Sequence, residues 1–260
     1  MHAFQTHPFS IASKQPLEFI VFAKDGFTKH LHEYAISSPG FTCRASIEGP
    51  YGNAPSLKDF DRVVLISGGS GITFTTSMAM GWLAKNQRED SKLNCVWSVR
   101  NIGMARLFVT QLSSADDYVP GSLSWLPNEL IQLQASSKVK IAVHVTGKGD
   151  LHATDYTLSS DNSYREAVIK AGDKEIQNAM QDHGEIAMEA RRILENSVVP
   201  GRPNVETIIE DAIHELPSTG RILVAAAGPR GLLRQVEMAV EKIRINAKAP
   251  SVRLHLETFC

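Results

Sequence analysis

Nothing in this sequence points to a crosslinked or metal-stapled scaffold. Its three cysteines, Cys43, Cys95 and Cys260, lie far apart and form no C-x-x-C pair. That argues against a disulfide framework or a zinc knuckle and fits a reducing compartment. Long apolar runs are lacking too, since no stretch approaches the roughly 18 continuous apolar residues that a spanning helix needs. The opening MHAFQTHPFS has neither the basic start nor the apolar core of a secretory signal. An excess of one charge is also missing: 27 Lys and Arg stand against 28 Asp and Glu, a formal net charge of -1. No overall basic field recruits nucleic acid or an anionic membrane surface. Taken alone, the chain is expected to be soluble, with no nucleic-acid partner.

What remains is an ordinary globular balance, 43% hydrophobic and 21% charged over 260 residues. That is room for one large or two small domains. Residues 1–56 read as β. FSIAS at 9–13, LEFIVFAK at 17–24 and FTCRASIEG at 41–49 are rich in Ile, Phe, Val and Thr, with turn residues between them. Lys29 to Tyr34 fit a helical turn between the second and third runs. Three strands cannot close a barrel, so this part is expected to be a partial antiparallel β-barrel.

From Phe60 the rhythm becomes β–α alternation. RVVLIS, LNCVWSVRN, KVKIAVHVT, GRILVAAAGP and VRLHLETF read as strands. TFTTSMAMGWLAKNQ, ARLFVTQL and GLLRQVEMAVEKIRINA read as helices, with Met78 and Met80 as core packing. The fold class is α/β, an open parallel sheet with helices on both faces. It occupies 57–260, interrupted by a polar and then helical segment at 147–200. Tyr164 to Glu195 carries mixed charges suited to an exposed helix, and removing the whole segment leaves the alternation intact. It reads as a tolerated insertion.

The chemistry starts where RVVLIS runs into Gly68-Gly69-Ser70-Gly71. Glycines there let the backbone turn sharply and expose N–H groups, and the next helix points its positive end at the turn. The string is neither G-x-G-x-x-G nor the G-x-S-x-G elbow, because Ile72 stands where the second glycine of the elbow belongs. A tight turn without ligand and a phosphate cradle both satisfy it. Gly228-Pro229 ends a strand of small residues and permits close approach of a flat ring. Both loops belong at the carboxyl ends of strands, where open α/β sheets bind ligands. In HPFS, His7 and Ser10 put polar atoms beside Phe9, suiting a cofactor with an apolar ring and a charged tail. His30 and His32 lack a third ligand, so no metal site is expected.

Together these strings resemble the C-terminal dehydrogenase region of fungal ferric-chelate reductases, relatives of NADPH oxidases and ferredoxin–NADP reductases. QTHPFSIAS, EGPYG, VVLISGGSGITF, CVWSVRN, GRPNVETII, VAAAGP and the closing ETF occur in family order from Thr6 to Cys260. The resemblance implies FAD and NADPH as cofactors, with 1–56 as the flavin unit and 57–260 as the nicotinamide unit. His7, Pro8, Phe9 and Ser10 would form the flavin strand, with the Ser10 hydroxyl approaching flavin N5. Gly49, Pro50, Tyr51 and Gly52 would lie near the FAD diphosphate. Gly68, Gly69, Gly71, Ile72 and Thr73 would form the NADPH pyrophosphate loop, with Gly228 and Pro229 opposite. Arg100 and Arg202 would meet the adenosine end, where a guanidinium favours a 2′-phosphate and so NADPH over NADH. Glu257 and Phe259 would be the closing acid and the aromatic that stacks on the flavin.

Ala227 stands where the family places a cysteine beside the nicotinamide, which implies slower hydride transfer with binding retained. The resemblance also implies a parent protein whose membrane helices carry haem, with this part on the cytoplasmic face. Strands before HPFS and those helices are not in the chain, so it is expected to be a fragment. The implied reaction is hydride transfer from NADPH to FAD, the electron input of ferric-chelate reduction. Two alternatives stand beside it: a non-catalytic nucleotide-binding remnant without flavin, and the dehydrogenase part of a superoxide-producing NADPH oxidase.

Overall fold

The computed structural model describes residues 7, 9–14, 17–21, 23, 25–38, 42–51, 55–85, 88–105, 125–147, 185–186, 188–214, 216–245 and 249–258. Its centre is a six-stranded parallel sheet in the order β6-β5-β4-β3-β7-β8. The strands are β3 Arg62–Gly68, β4 Lys92–Val99, β5 Val139–Val145, β6 Val198–Pro200, β7 Arg221–Gly228 and β8 Ser251–Thr258. β3 is buried along its whole length and β7 from its second residue on. Strands covered on both faces need such continuous apolar runs.

Alternate residues of β3 face opposite layers. Val63 and Leu65 join a core with Met78, Ala79 and Trp82 of α2, Ile72–Lys85. Val64 and Ile66 join the opposite core with Ile209 of α4, Val205–His214, and Val236 and Val240 of α5, Arg230–Arg244. A third cluster gathers Trp97 and Val99 of β4, Val143 and Val145 of β5, and Leu126 and Leu130 of α3, Trp125–Gln134. Helices therefore cover both faces.

From β3 the chain builds outward through β4 and β5 to β6, then returns to lay β7 and β8 on the other side. The carboxyl ends of β3 and β7 thus flank the point where strand order reverses. Crevices at such points receive ligands in open α/β sheets. At the opposite edge, Asp61 accepts the Arg221 N–H at 2.8 Å and pairs with Arg88. That ties the starts of β3 and β7 together, away from the crevice.

Before Phe60 the structure departs from the sequence reading. β1 Ile11–Lys14 and β2 Leu17–Phe19 form an antiparallel ribbon with a register shift between Ile11 and Ser13. The run at 42–49, expected as a third strand, forms no ladder among the described residues. Its alternation is strand-like, but a strand needs a partner edge. The turn expected at Lys29–Tyr34 is a longer helix, α1 Phe27–Ser37, whose residues all keep some exposure. Of the described antiparallel part, two strands are present rather than the three-stranded piece of barrel expected.

A second correction concerns 147–200. Residues 188–196 are helical, and Ala190 and Leu194 of that helix are buried in the cluster with Val143 and Val145. β6 then pairs with β5 through Val198, Val199 and Pro200. The end of this segment is therefore part of the sheet domain, because its apolar residues complete one layer. Residues 148–184 and most of the helix expected at 105–112 lie outside the described residues, although 102–105 are helical.

Candidate functional site

Two loops meet at the switch point, and glycine is what lets them touch. A Cβ on Gly68 would lie 2.7 Å from Pro229 Cδ and 3.0 Å from Leu232 Cδ2. A Cβ on Gly71 would collide with the carbonyl oxygen of Ala227. Gly228, at φ 149°, would place a Cβ 2.9 Å from the Gly68 nitrogen. Three of the expected ligand glycines thus join the β3–α2 loop to the β7–α5 loop. Gly69 differs: its φ is +56° and nothing lies within 4 Å of its Cβ position. That is the open side of the loop.

Local hydrogen bonds hold the turn into α2. The Thr73 hydroxyl donates to the Ser70 carbonyl at 3.0 Å, and the Ile72 N–H donates to the Gly69 carbonyl. Trp97 Nε1–H reaches the same Gly69 oxygen from β4 at 2.9 Å. Thr73 is 2% exposed and Ile72 7%. Both of these expected ligand residues point into packing rather than into the crevice, and their contribution is to the shape of the loop.

Ala227 is fully buried, paired in register with Ser67 of β3 and Glu257 of β8. Glu257 is half-buried at the carboxyl end of β8, and its carboxylate lies 3.7 Å from His255 Nε2. The His255 ring stacks on Phe74 in the first turn of α2, centroids 5.6 Å apart. The register places Glu257 next to Ala227. Phe259 lies outside the described residues.

Arg100 and Arg202 follow β4 and β6, both exposed and both at the carboxyl edge. Neither forms an ion pair among the described residues. With neighbouring strands about 4.8 Å apart, the two positions stand on the order of 10 Å from each other. The loops carrying them are laced to β5. Gly147 N–H donates to the Arg100 carbonyl at 2.7 Å, and Gly201 N–H to the Val145 carbonyl at 2.8 Å. His144 Nδ1 meets the Gly201 carbonyl at 3.3 Å. Burial pushes the His144 imidazole below its ordinary range, and the Gly201 bond opposes that shift.

On the flavin side, Ser10 and Phe9 are half-buried just before β1. Ala12 of β1 is 7% exposed and shares the cluster of Ile72, so β1 abuts the start of α2. The His7 ring stacks on Phe27 with centroids 4.3 Å apart, which occupies one of its faces. Tyr51 is 79% exposed and its hydroxyl donates to Glu48 at 2.9 Å, pushing the phenol above its usual range. Gly49 and Pro50 precede it in exposed chain. Pro8 and Gly52 lie outside the described residues. The structure sets β1, which follows Ser10, against the start of α2 and leaves Tyr51 in solvent.

A dinucleotide phosphate fits the first of these places on the structure's own terms. Gly69 leaves open space at the entry to α2.

The family described as ferric reductase NAD binding domain matches residues 60–118 and 119–241, and an FAD-binding domain matches 1–55. The chain belongs to the ferric reductase NAD-binding family. It carries that family's nicotinamide-dinucleotide domain and an FAD-binding domain. Ferric reductase transmembrane component 5 of Saccharomyces cerevisiae is 34% identical over 111 residues, 40% of this chain and 16% of that protein. Component 6 of the same yeast is 25% identical over 245 residues, 92% of this chain and 28% of that protein. The chain thus spans less than a third of either relative. Among solved structures, the CS-b5R domains of human Ncb5or in the NAD+ form align over 94% of this chain and 49% of that one, at 11% identity and a TM-score of 0.46.

Sequence reasoning missed Trp97, His144, Phe74 and His255. Trp97 lies inside the string CVWSVRN, but its bond to Gly69 joins residues 28 apart in sequence. No local pattern carries that information.

Proposed function

We propose that this chain is the electron-input module of a ferric-chelate reductase, with 1–56 as flavin unit and 57–260 as NADPH unit. When bound, NADPH supplies a hydride and FAD accepts the electron pair, to be passed on one electron at a time. The protein's part is to position two rings and keep water from between them. The Gly69–Ser70 face and the positive end of α2 hold the pyrophosphate. Arg100 and Arg202 take the 2′-phosphate from the β4 and β6 ends. Ser10 offers its hydroxyl to the flavin from β1, and Glu257 stands beside Ala227 on the nicotinamide side.

One observation carries this reading: the Gly68–Gly71 loop and the Gly228 loop are locked together at the switch point, with Gly69 facing open space. In the parent protein, the module serves a membrane haem domain from the cytoplasmic face, and Fe(III) is the final acceptor. The experiment is direct. The purified chain, loaded with FAD and freed of excess, should stay yellow and lose its flavin absorbance on anaerobic mixing with NADPH. Retained flavin that NADPH leaves oxidised would defeat the proposal.

The exposure of Tyr51 and the unpaired run at 42–49 favour a second reading, a nucleotide-binding remnant that keeps no flavin. NADP+ binding by a colourless protein that releases all added FAD would select it.

A further inference from the structure

The Gly69 carbonyl is held from the core side. Trp97 is 3% exposed, and its indole N–H donates to that oxygen at 2.9 Å. The ring is fixed in turn by a cluster that includes Ile72, Val99 and Leu130. A trans peptide points its C=O and its N–H in opposite directions. The Gly69–Ser70 peptide therefore turns the Ser70 N–H away from Trp97. At the neighbouring Gly69, no atom lies within 4 Å of the Cβ position. Gly69 and Ser70 are both half-exposed there, at the entry to α2.

We propose that Trp97 is a positioning residue for dinucleotide binding, fixing the Gly69 carbonyl so that the Ser70 amide is presented to a pyrophosphate oxygen. The inference rests on reading the Gly68–Gly71 loop as the pyrophosphate site. Trp97 itself touches no ligand. Other aromatic residues could fill the same core volume, but phenylalanine has no N–H to donate and would remove the hold on this carbonyl from the core side. The Gly69 oxygen keeps the Ile72 N–H as a donor, so loss of the indole bond leaves no orphaned acceptor.

The test uses the full chain and two ligands, NADP+ and adenosine 2′-monophosphate, which lacks the pyrophosphate. In Trp97→Phe, calorimetric titration should show NADP+ bound about tenfold more weakly, as for one lost charge-assisted bond. Adenosine 2′-monophosphate should bind as before. Trp82→Phe is the matched control. Trp82 is 1% exposed, its N–H has no acceptor among the described residues, and NADP+ affinity should be unchanged. In the unaltered chain, NADP+ should slow hydrogen exchange of the Ser70 amide, a readout that does not depend on any variant folding.

Unchanged NADP+ affinity in Trp97→Phe overturns the inference and leaves the pyrophosphate reading standing. Equal weakening of both ligands also overturns it, because the variant would then have damaged the whole domain. Ser70 exchange that NADP+ leaves untouched does the same. An unaltered chain that binds adenosine 2′-monophosphate but gains nothing from the pyrophosphate overturns both.

Discussion

The Ala227 carbonyl oxygen occupies the space into which a Cβ on Gly71 would project. The obstacle is main chain at the end of β7, so no side-chain rotation relieves it. Gly71→Ala must push the start of α2 away from β7. Overpacking of this kind costs about 3 kcal/mol when backbone has to move. Urea unfolding should show that loss, and NADP+ binding should fail with it, since the two loops separate.

Gly69→Ala should separate fold from binding. The new Cβ meets nothing within 4 Å, so only its φ of +56° is unfavourable, at about 1 kcal/mol. The methyl group then stands where the phosphate belongs. The expected result is near-normal unfolding with NADP+ affinity reduced about tenfold or more, read by titration beside a urea curve. Full NADP+ affinity in Gly69→Ala would show that the pyrophosphate does not use this face.

These two glycines also mark how far the sequence could be read. The string GGSGIT after a buried-strand run located the loop correctly. It could not separate Gly71, needed by Ala227 some 150 residues away, from Gly69, which faces open space. Continuous apolar runs made β3, β4, β5, β7 and β8 legible, and α2 and α5 followed from their helical spacing. α3 went unread although Leu126, Leu130 and Leu133 have helical spacing, and Pro127 interrupts its start. Proline is tolerated in a first turn, where the N–H it lacks has no intrahelical partner. α4 was missed as well. Its signal is Asn204, whose side chain accepts the Thr207 N–H at 3.3 Å, followed by Val205, Ile209 and Ala212 on one face. β6 spans only Val198–Pro200 at the sheet edge and owes its existence to β5.

Arg100 and Arg202 carry the prediction on cofactor choice. Both are exposed at the carboxyl edge and lack ion-pair partners among the described residues. Replacing either with Ala should weaken NADPH by about tenfold and leave NADH unchanged, because only the former has a 2′-phosphate. The NADPH preference should also shrink as salt is raised, since exposed pairs are screened. Parallel titrations of both nucleotides at low and high salt check this. Equal losses for NADPH and NADH would move these arginines to a part common to both.

His144 makes part of the stability depend on pH, and the sign follows from its surroundings. Burial lowers its affinity for a proton below the ordinary value of 6.5, so the folded state prefers the neutral ring. As pH falls through that value, the unfolded chain takes up the proton before the folded one does. Stability is then lost on acidification, beginning near the ordinary value and levelling off below the lowered one. The neutral ring also donates Nδ1–H to Gly201, beside Arg202. Thermal unfolding from neutral to mildly acidic pH should therefore show a falling midpoint that is flatter in His144→Gln. The variant should lose about 1 kcal/mol at neutral pH through the Gly201 bond. A His144→Gln midpoint that falls as steeply as the parent's would assign the acid sensitivity to other groups.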